Sequence, residues 1–163
     1  MSLKSRSSGV LMPVSSLPGD YGIGTLGTEA RHFVDLLQSM GCSYWQILPI
    51  GPVDDYFSPY NSTSAFAGNP LFIDLELLFK WGLLTADELA ASKSTDPPYS
   101  INYPNLIDNR NTIFKSAYSR LTTSLKKDIH QYCLANHEWL PDFSLYTVLA
   151  QHFSEKNWTK WDN

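Results

Sequence analysis

The sequence is short of several things, and each shortage removes a class of function. Its 163 residues include only two cysteines, Cys42 and Cys133, far apart and outside any CxxC or Cys/His spacing. A disulfide framework, a redox dithiol and a zinc site therefore have no ligands to build on, and reduced thiols in a cytoplasmic protein are expected. Positive charge is sparse and scattered: the net charge is -4, and the basic residues cluster no further than the pair Lys126-Lys127. That leaves little to grip a phosphate backbone or an anionic membrane, so nucleic acid and membrane are not expected partners. No apolar run approaches membrane-spanning length, and the polar stretch 1–8 has no apolar segment behind it of the kind a secretory signal needs. Residues 1–8 read as a leader. The four histidines, His32, His130, His137 and His152, show no metal spacing. Surface roles are expected for them, with no metal and no cofactor.

Aromatics, by contrast, are plentiful, with five Trp, nine Tyr and eight Phe. Most should pack in the core, although flat rings also suit apolar ligand faces. The length fits one domain with a real core. Residues 9–14 form a short apolar run that reads as a buried strand with Pro13 near its end. A glycine-rich loop, 15–27, follows. Thr28 is then placed to cap a helix whose Ala30, Phe33, Leu37 and Met40, with Leu36 beside them, recur on one face until Gly41 stops it. Residues 44–48 read as a second buried strand. Strand, helix, strand with short connections predicts a parallel βαβ unit.

Beyond it, the pattern turns helical. Leu71-Phe72-Ile73 reads as a brief extended segment, and 74–81 as a helix ended by Gly82. Thr85 and Glu88 have the spacing of a capping box. Pro104 opens a helix to about Leu121, and Leu125, Ile129 and Tyr132 continue an apolar stripe to about Ala135. Asp142 is expected to cap a last helix bearing Phe143, Tyr146, Ala150 and Phe153 on one face. Trp158 and Trp161 close the sequence. Two exposed tryptophans at a terminus suit an interior point of a larger protein or a segment docked back on the helices.

Gly22-Ile23-Gly24-Thr25-Leu26-Gly27 has the GxGxxG form of a dinucleotide loop. Its context does not fit: residues 15–21 separate it from the strand, and the second strand lacks an acidic residue for a ribose. These glycines are instead expected to serve a loop needing positive φ and close backbone approach.

The richest chemistry lies in the long loop 51–70, where residues 58–70 run Ser-Pro-Tyr-Asn-Ser-Thr-Ser-Ala-Phe-Ala-Gly-Asn-Pro. Hydroxyls, amides and rings together match a sugar, which presents hydroxyls at its rim and CH groups on its faces. The same residues could equally serve to satisfy the loop's own backbone. Asp54, Asp55, Asp74 and Glu76 are the close acidic pairs nearby. Adjacent residues on an extended chain point apart, and Asp74 with Glu76 suits a helix start, so neither pair reads as a catalytic couple.

Five blocks, in order and at matching spacing, carry a resemblance: Arg6-Ser7-Ser8-Gly9-Val10, Ser16-Leu17-Pro18-Gly19, Tyr21-Gly22-Ile23-Gly24, Trp45-Gln46-Ile47-Leu48-Pro49-Ile50-Gly51-Pro52, and Ser58-Pro59-Tyr60-Asn61 through Gly68-Asn69-Pro70. With weaker similarity through Tyr103-Pro104-Asn105-Leu106, Trp139-Leu140-Pro141-Asp142 and Trp158-Thr159-Lys160-Trp161, the chain resembles the amino-terminal part of the 4-α-glucanotransferases of glycoside hydrolase family 77. The resemblance implies an α/β fold: the start of a (β/α)8 barrel, its first two or three strands in residues 9–74, with a helical insertion in 75–163. It implies an incomplete barrel whose open strand edges invite self-association. It also implies a parent enzyme that moves α-1,4-glucan segments between maltooligosaccharides through a covalent glycosyl-enzyme, using Asp, Glu and Asp residues that no position here matches. Ser58 and Tyr60, and more weakly Asn61, match residues lining donor subsites. Tyr56-Phe57 departs from the small or acidic residues that relatives carry there, which bears on outer glucan contacts. A self-contained carbohydrate-binding module is the alternative.

Overall fold

The computed structural model describes residues 6–97, 99–155 and 157–161. Two compact units divide the chain: Met1–Thr63 with Gly68–Arg120, and Ser64–Ala67 with Leu121–Asn163.

In the first unit, strands β1 (Gly9–Leu11) and β2 (Tyr44–Gln46) pair in parallel with Gly9 opposite Tyr44, and helix α1 (Thr28–Ser39) connects them. The expected βαβ unit is present, with shorter strands than the apolar runs suggested. The Met12 N–H still reaches the Gln46 carbonyl at 3.0 Å, but Pro13 has no N–H to continue the ladder. Val14–Ser16 then turns as a 3-10 helix that drives Val14 into the core. At Gly9 a side chain would run into the Tyr44 backbone, so this glycine sets how closely the strands approach.

Helix α1 starts one residue from where Thr28 would cap it. Gly27 holds the cap position, and the Asp74 carboxylate fills the space a side chain would need. Ala30 and Leu37 are buried and Phe33 meets Trp45 edge-on at 5.1 Å. Met40 and Leu36, expected on the same face, are 61% and 52% exposed. A sheet of two three-residue strands is too small to cover the ends of a twelve-residue helix.

Residues 70–72 correct another expectation. Pro70–Phe72 is a 3-10 turn, not an extended segment, because the buried Asn69 side chain accepts the Leu71 N–H at 3.0 Å and curls the chain. Asp74 then caps α2 (Leu75–Lys80) through the Leu77 N–H at 2.8 Å. Helix α3 (Ala86–Ala91) opens with the predicted capping box: the Thr85 hydroxyl accepts from the Glu88 N–H, and the Glu88 carboxylate accepts from the Thr85 N–H. Both oxygens of that carboxylate also accept from Arg120, at 2.8 and 3.0 Å. Arg120 first, then the Thr85 N–H, hold the Glu88 carboxyl down at about 2. A folded-state value below the unfolded one stabilises the fold above about pH 4.5, and that contribution fades as pH falls toward 2. Glu88→Gln should therefore lower the urea midpoint at pH 7, and the difference from wild type should shrink steadily between pH 4.5 and 2.

Helix α4 (Tyr103–Ser119) buries Leu106, Arg110, Ile113 and Ala117 on one face. Arg110 is buried and donates to the Tyr21 carbonyl at 3.3 Å. Burial lowers its guanidinium to about 10, which still leaves it charged at neutral pH.

In the second unit, α5 (Thr123–Ala135) is a separate helix capped by Thr122, so the apolar stripe does not run on unbroken from α4. Ile129 and Tyr132 of that stripe are exposed. Helix α6 (Leu140–Phe153) begins earlier than expected. Trp139 holds its cap position and Asp142 lies inside the first turn, because Pro141 fits a first-turn position where no N–H is needed. Trp161 folds back to stack on Tyr146 and Phe153 at 5.8 and 5.6 Å, and its Nε1 donates to the Glu155 carbonyl at 2.6 Å. Trp158 stays exposed.

Candidate functional site

Two loops follow the carboxyl ends of the parallel strands, where α/β sheets place ligand sites. The first, after β1, holds the glycines. Gly22 has φ +81°, a left-handed value that an L side chain rarely adopts. Gly24 is pressed against the backbone of Val14 and Leu17, and Gly27 against Asp74. Positive φ and close approach thus account for the GxGxxG spacing, as expected from the sequence. The Thr25 hydroxyl donates to Asp74 at 2.8 Å and ties this loop to the start of α2.

The second loop, after β2, is closed at its base by the Asn69 N–H bonding the Ile50 carbonyl at 2.8 Å. Its centre is Asp54. One carboxylate oxygen accepts the N–H groups of Tyr56 and Ser58 at 3.0 and 2.8 Å, and the other accepts the Asn61 side-chain amide at 3.0 Å. The Ser58 hydroxyl accepts the Tyr60 N–H at 3.3 Å. Of the three residues singled out in the sequence, Ser58 and Asn61 thus bond Asp54 directly and Tyr60 joins them through Ser58. The Tyr60 ring is 73% exposed. Phe57 takes a left-handed φ of 59° and stacks on Tyr103 at 4.1 Å with the rings 5° from parallel. Burial raises the Tyr103 phenol above its usual value, so it stays neutral at physiological pH. In the second unit, Phe66 stacks on Trp139 at 5.9 Å.

The loop therefore satisfies much of its own backbone and still presents polar groups and a flat ring outward. Sequence reasoning considered Asp54 only as half of an acidic pair and missed that it organises the loop. The available signal was an Asp with N–H partners two and four residues later, the spacing of an Asx turn. Asp74 does what its position promised and caps a helix. Among the described residues, no three His, Cys, Asp or Glu side chains gather as a metal site would require. Asp54→Ala should raise amide hydrogen exchange at Tyr56 and Ser58, whose N–H groups it accepts, and cost about 1.5–3 kcal/mol of local stability, the usual worth of hydrogen bonds to a charged acceptor. Exchange away from residues 51–70 should not change.

Similarity to known proteins extends along almost the whole chain. A family model described as 4-alpha-glucanotransferase matches residues 12–163. The 4-alpha-glucanotransferase of Streptococcus pneumoniae is 40% identical over 160 residues, covering 98% of this chain and 32% of the relative. That of Clostridium butyricum is 38% identical over 151 residues, covering 93% and 31%. The solved structure of amylomaltase from Streptococcus agalactiae in complex with acarbose superposes with a TM-score of 0.91 at 34% identity, over 98% of this chain and 32% of that one. The chain spans about a third of the length of the relatives it matches.

Proposed function

Because the chain belongs to the 4-alpha-glucanotransferase family, we propose that it supplies the glucan-holding first part of an enzyme that transfers α-1,4-glucan segments between maltooligosaccharides. The observation that carries this reading is the Asp54-centred loop, which sets Ser58, Tyr60 and Asn61 at the carboxyl end of a parallel strand in a chain matched almost end to end by that family. The Tyr60 ring offers a flat face to the CH groups of a glucose ring. The Ser58 hydroxyl accepts from the backbone and keeps its proton to donate, while Asn61, its amide nitrogen held by Asp54, turns a carbonyl toward sugar hydroxyls. These contacts orient the donor. In the proposed reaction an Asp attacks the anomeric carbon, a Glu protonates the leaving oxygen and later activates the acceptor 4-hydroxyl, and a second Asp steadies the transition state. All three would lie on later strands that this chain does not contain.

In this reading residues 9–74 begin a (β/α)8 barrel, 75–163 form its helical insertion, and the parent protein is cytoplasmic. The parallel sheet supports the barrel: one face is covered by α1 and the other leaves Leu11 and Tyr44 exposed, whereas parallel sheets are ordinarily buried on both faces. The open strand edges should make the isolated chain self-associate, so a single monomeric mass across a concentration series by light scattering would count against this. A self-contained carbohydrate-binding module is set aside, since the match runs into enzymes of which the chain is 32%. The test is a chimera. Placed in the Streptococcus pneumoniae enzyme in exchange for the matching residues, this chain should support maltotriose disproportionation, and Tyr60→Ala should reduce it. A folded but inactive chimera would sink the proposal.

A further inference from the structure

The proposed glucan loop is held at two places. Its base is the Asp54 turn, which bonds Ser58 and Asn61 within the first unit. Its tip is grouped elsewhere: residues 64–67 belong to the second unit, so the chain leaves the first just after Thr63 and returns to it at Gly68. Ser58, Tyr60 and Asn61 lie on the stretch between base and tip, and Ser64 follows Asn61 by only three residues.

The tip is shaped to present one ring. The Ser64 hydroxyl accepts the N–H groups of Phe66 and Ala67 at 3.2 and 3.0 Å, a turn in which a side chain stands in for a backbone carbonyl. Phe66 then stacks on Trp139 with the rings 5.9 Å apart and 25° from parallel. Trp139 is itself held at the cap position of α6. Its Nε1 donates to the Asn136 side chain at 3.0 Å, the Asn136 amide donates to the Tyr132 carbonyl at 2.9 Å, and the Phe143 ring lies 6.2 Å away on the same helix.

This stack does little for the folding of the second unit. Phe66 is 73% exposed, and among the described residues neither α5 nor α6 contains a buried one, so there is no core for its ring to complete. What the pair fixes is the place of the tip. A loop pinned at both ends has less freedom to lose when it closes on a ligand, and the saving appears as affinity.

We propose that Phe66 is a positioning residue for the donor glucan: its stack on Trp139 pins the loop tip and so keeps Ser58, Tyr60 and Asn61 in the arrangement that receives the sugar. The identity of the ligand rests on the glucanotransferase reading, whereas the pinning of the loop does not.

Two measurements test it. In the 163-residue chain, Phe66→Ala should speed hydrogen exchange severalfold at the Tyr60 N–H, which the Ser58 hydroxyl accepts, and leave the Glu88 N–H, held by Thr85, at its wild-type rate. In the Streptococcus pneumoniae chimera the same substitution should raise the KM for maltotriose about fivefold, the ordinary worth of one aromatic pair. The kcat should stay put, because a looser loop weakens contacts that ground and transition states share. A merely structural role would do the reverse, lowering the active fraction and hence kcat at constant KM. Phe66→Tyr keeps the ring and should restore the wild-type KM, and Phe66→Ala added to Trp139→Ala should raise KM no further than either alone. If Trp139→Ala loses its helical circular dichroism, the two Phe66 variants, at an exposed position, decide the matter. A KM unchanged in Phe66→Ala would overturn the proposal and leave the glucanotransferase reading standing. A folded but inactive unsubstituted chimera would overturn the glucan role together with the reading it rests on.

Discussion

Incubated with maltotriose, the 163-residue chain should release no glucose above the uncatalysed rate. Retaining glycosyl transfer needs two carboxyl groups about 5–5.5 Å apart across the scissile bond, one to attack and one to move the proton. Two of the acidic residues near the proposed glucan loop are committed elsewhere. Asp54 accepts two backbone N–H groups and the Asn61 amide, and Asp74 accepts the Leu77 N–H and the Thr25 hydroxyl. Freeing either for chemistry would undo a loop or a helix start. Asp55 follows Asp54 directly, and neighbouring side chains cannot face one anomeric carbon from both sides. Sugar contacts alone bind substrate and transition state alike and so do not lower the barrier. The full enzymatic acceleration, at least about 10⁶-fold, should thus be missing. Glucose release that scales with protein concentration, survives repurification and is lost in Asp54→Asn would show that the chain holds its own catalytic carboxylate.

Gly24→Ala should destabilise the first unit by about 3 kcal/mol, the upper part of the range for overpacking a tight core. The added methyl would meet the Val14 carbonyl and the Leu17 backbone, which cannot swing aside as the end of a long side chain can. Val14, Leu17 and Ile23 around it are among the most buried residues of the chain, so relief would have to come from shifting the 3-10 turn that follows β1. Small domains are stable by only about 5–15 kcal/mol, and a loss of this size should move the urea midpoint substantially. Gly68→Ala is the control. Nothing lies within 4 Å of where its methyl would stand and its φ is not left-handed, so its midpoint should stay close to wild type. Equal midpoints for the two variants would mean that the glycine loop is not packed as described.

What could be read from the sequence was mostly local. Thr85 and Glu88 announce their capping box by spacing alone, and both halves form. The parallel pairing of β1 and β2 follows from a strand, a helix and a strand with short connections. Features that depend on partners distant in sequence were not readable in this way. Met40 and Leu36 have helical spacing for burial, but the sheet beneath them is too small to cover them. Arg110 lies in a buried stripe, and one of its nitrogens reaches a carbonyl 89 residues earlier. Thr28 looks like a cap until Asp74, from the far side of the long loop, occupies the space at Gly27. At the candidate site, the residue types of Ser58, Tyr60 and Asn61 were legible, whereas their assembly around Asp54 needed the turn geometry of the loop.

Phe57 links the site to a part of the chain that looks unrelated to it. A non-glycine residue at φ 59° holds a conformation costing about 1–3 kcal/mol unless its surroundings enforce it. Here the surroundings are the Asp54 turn, whose carbonyl accepts the Phe57 N–H at 3.1 Å, and Tyr103, whose ring lies flat on Phe57 at the first residue of α4. The shape of the proposed glucan loop is thereby tied in part to a helix that begins more than forty residues later. A change in the segment between α3 and α4 that rotated the first turn of α4 would release Phe57 and let the loop relax, with no residue of the loop itself altered. The two segments are thus joined through one stacked pair, Phe57 on Tyr103.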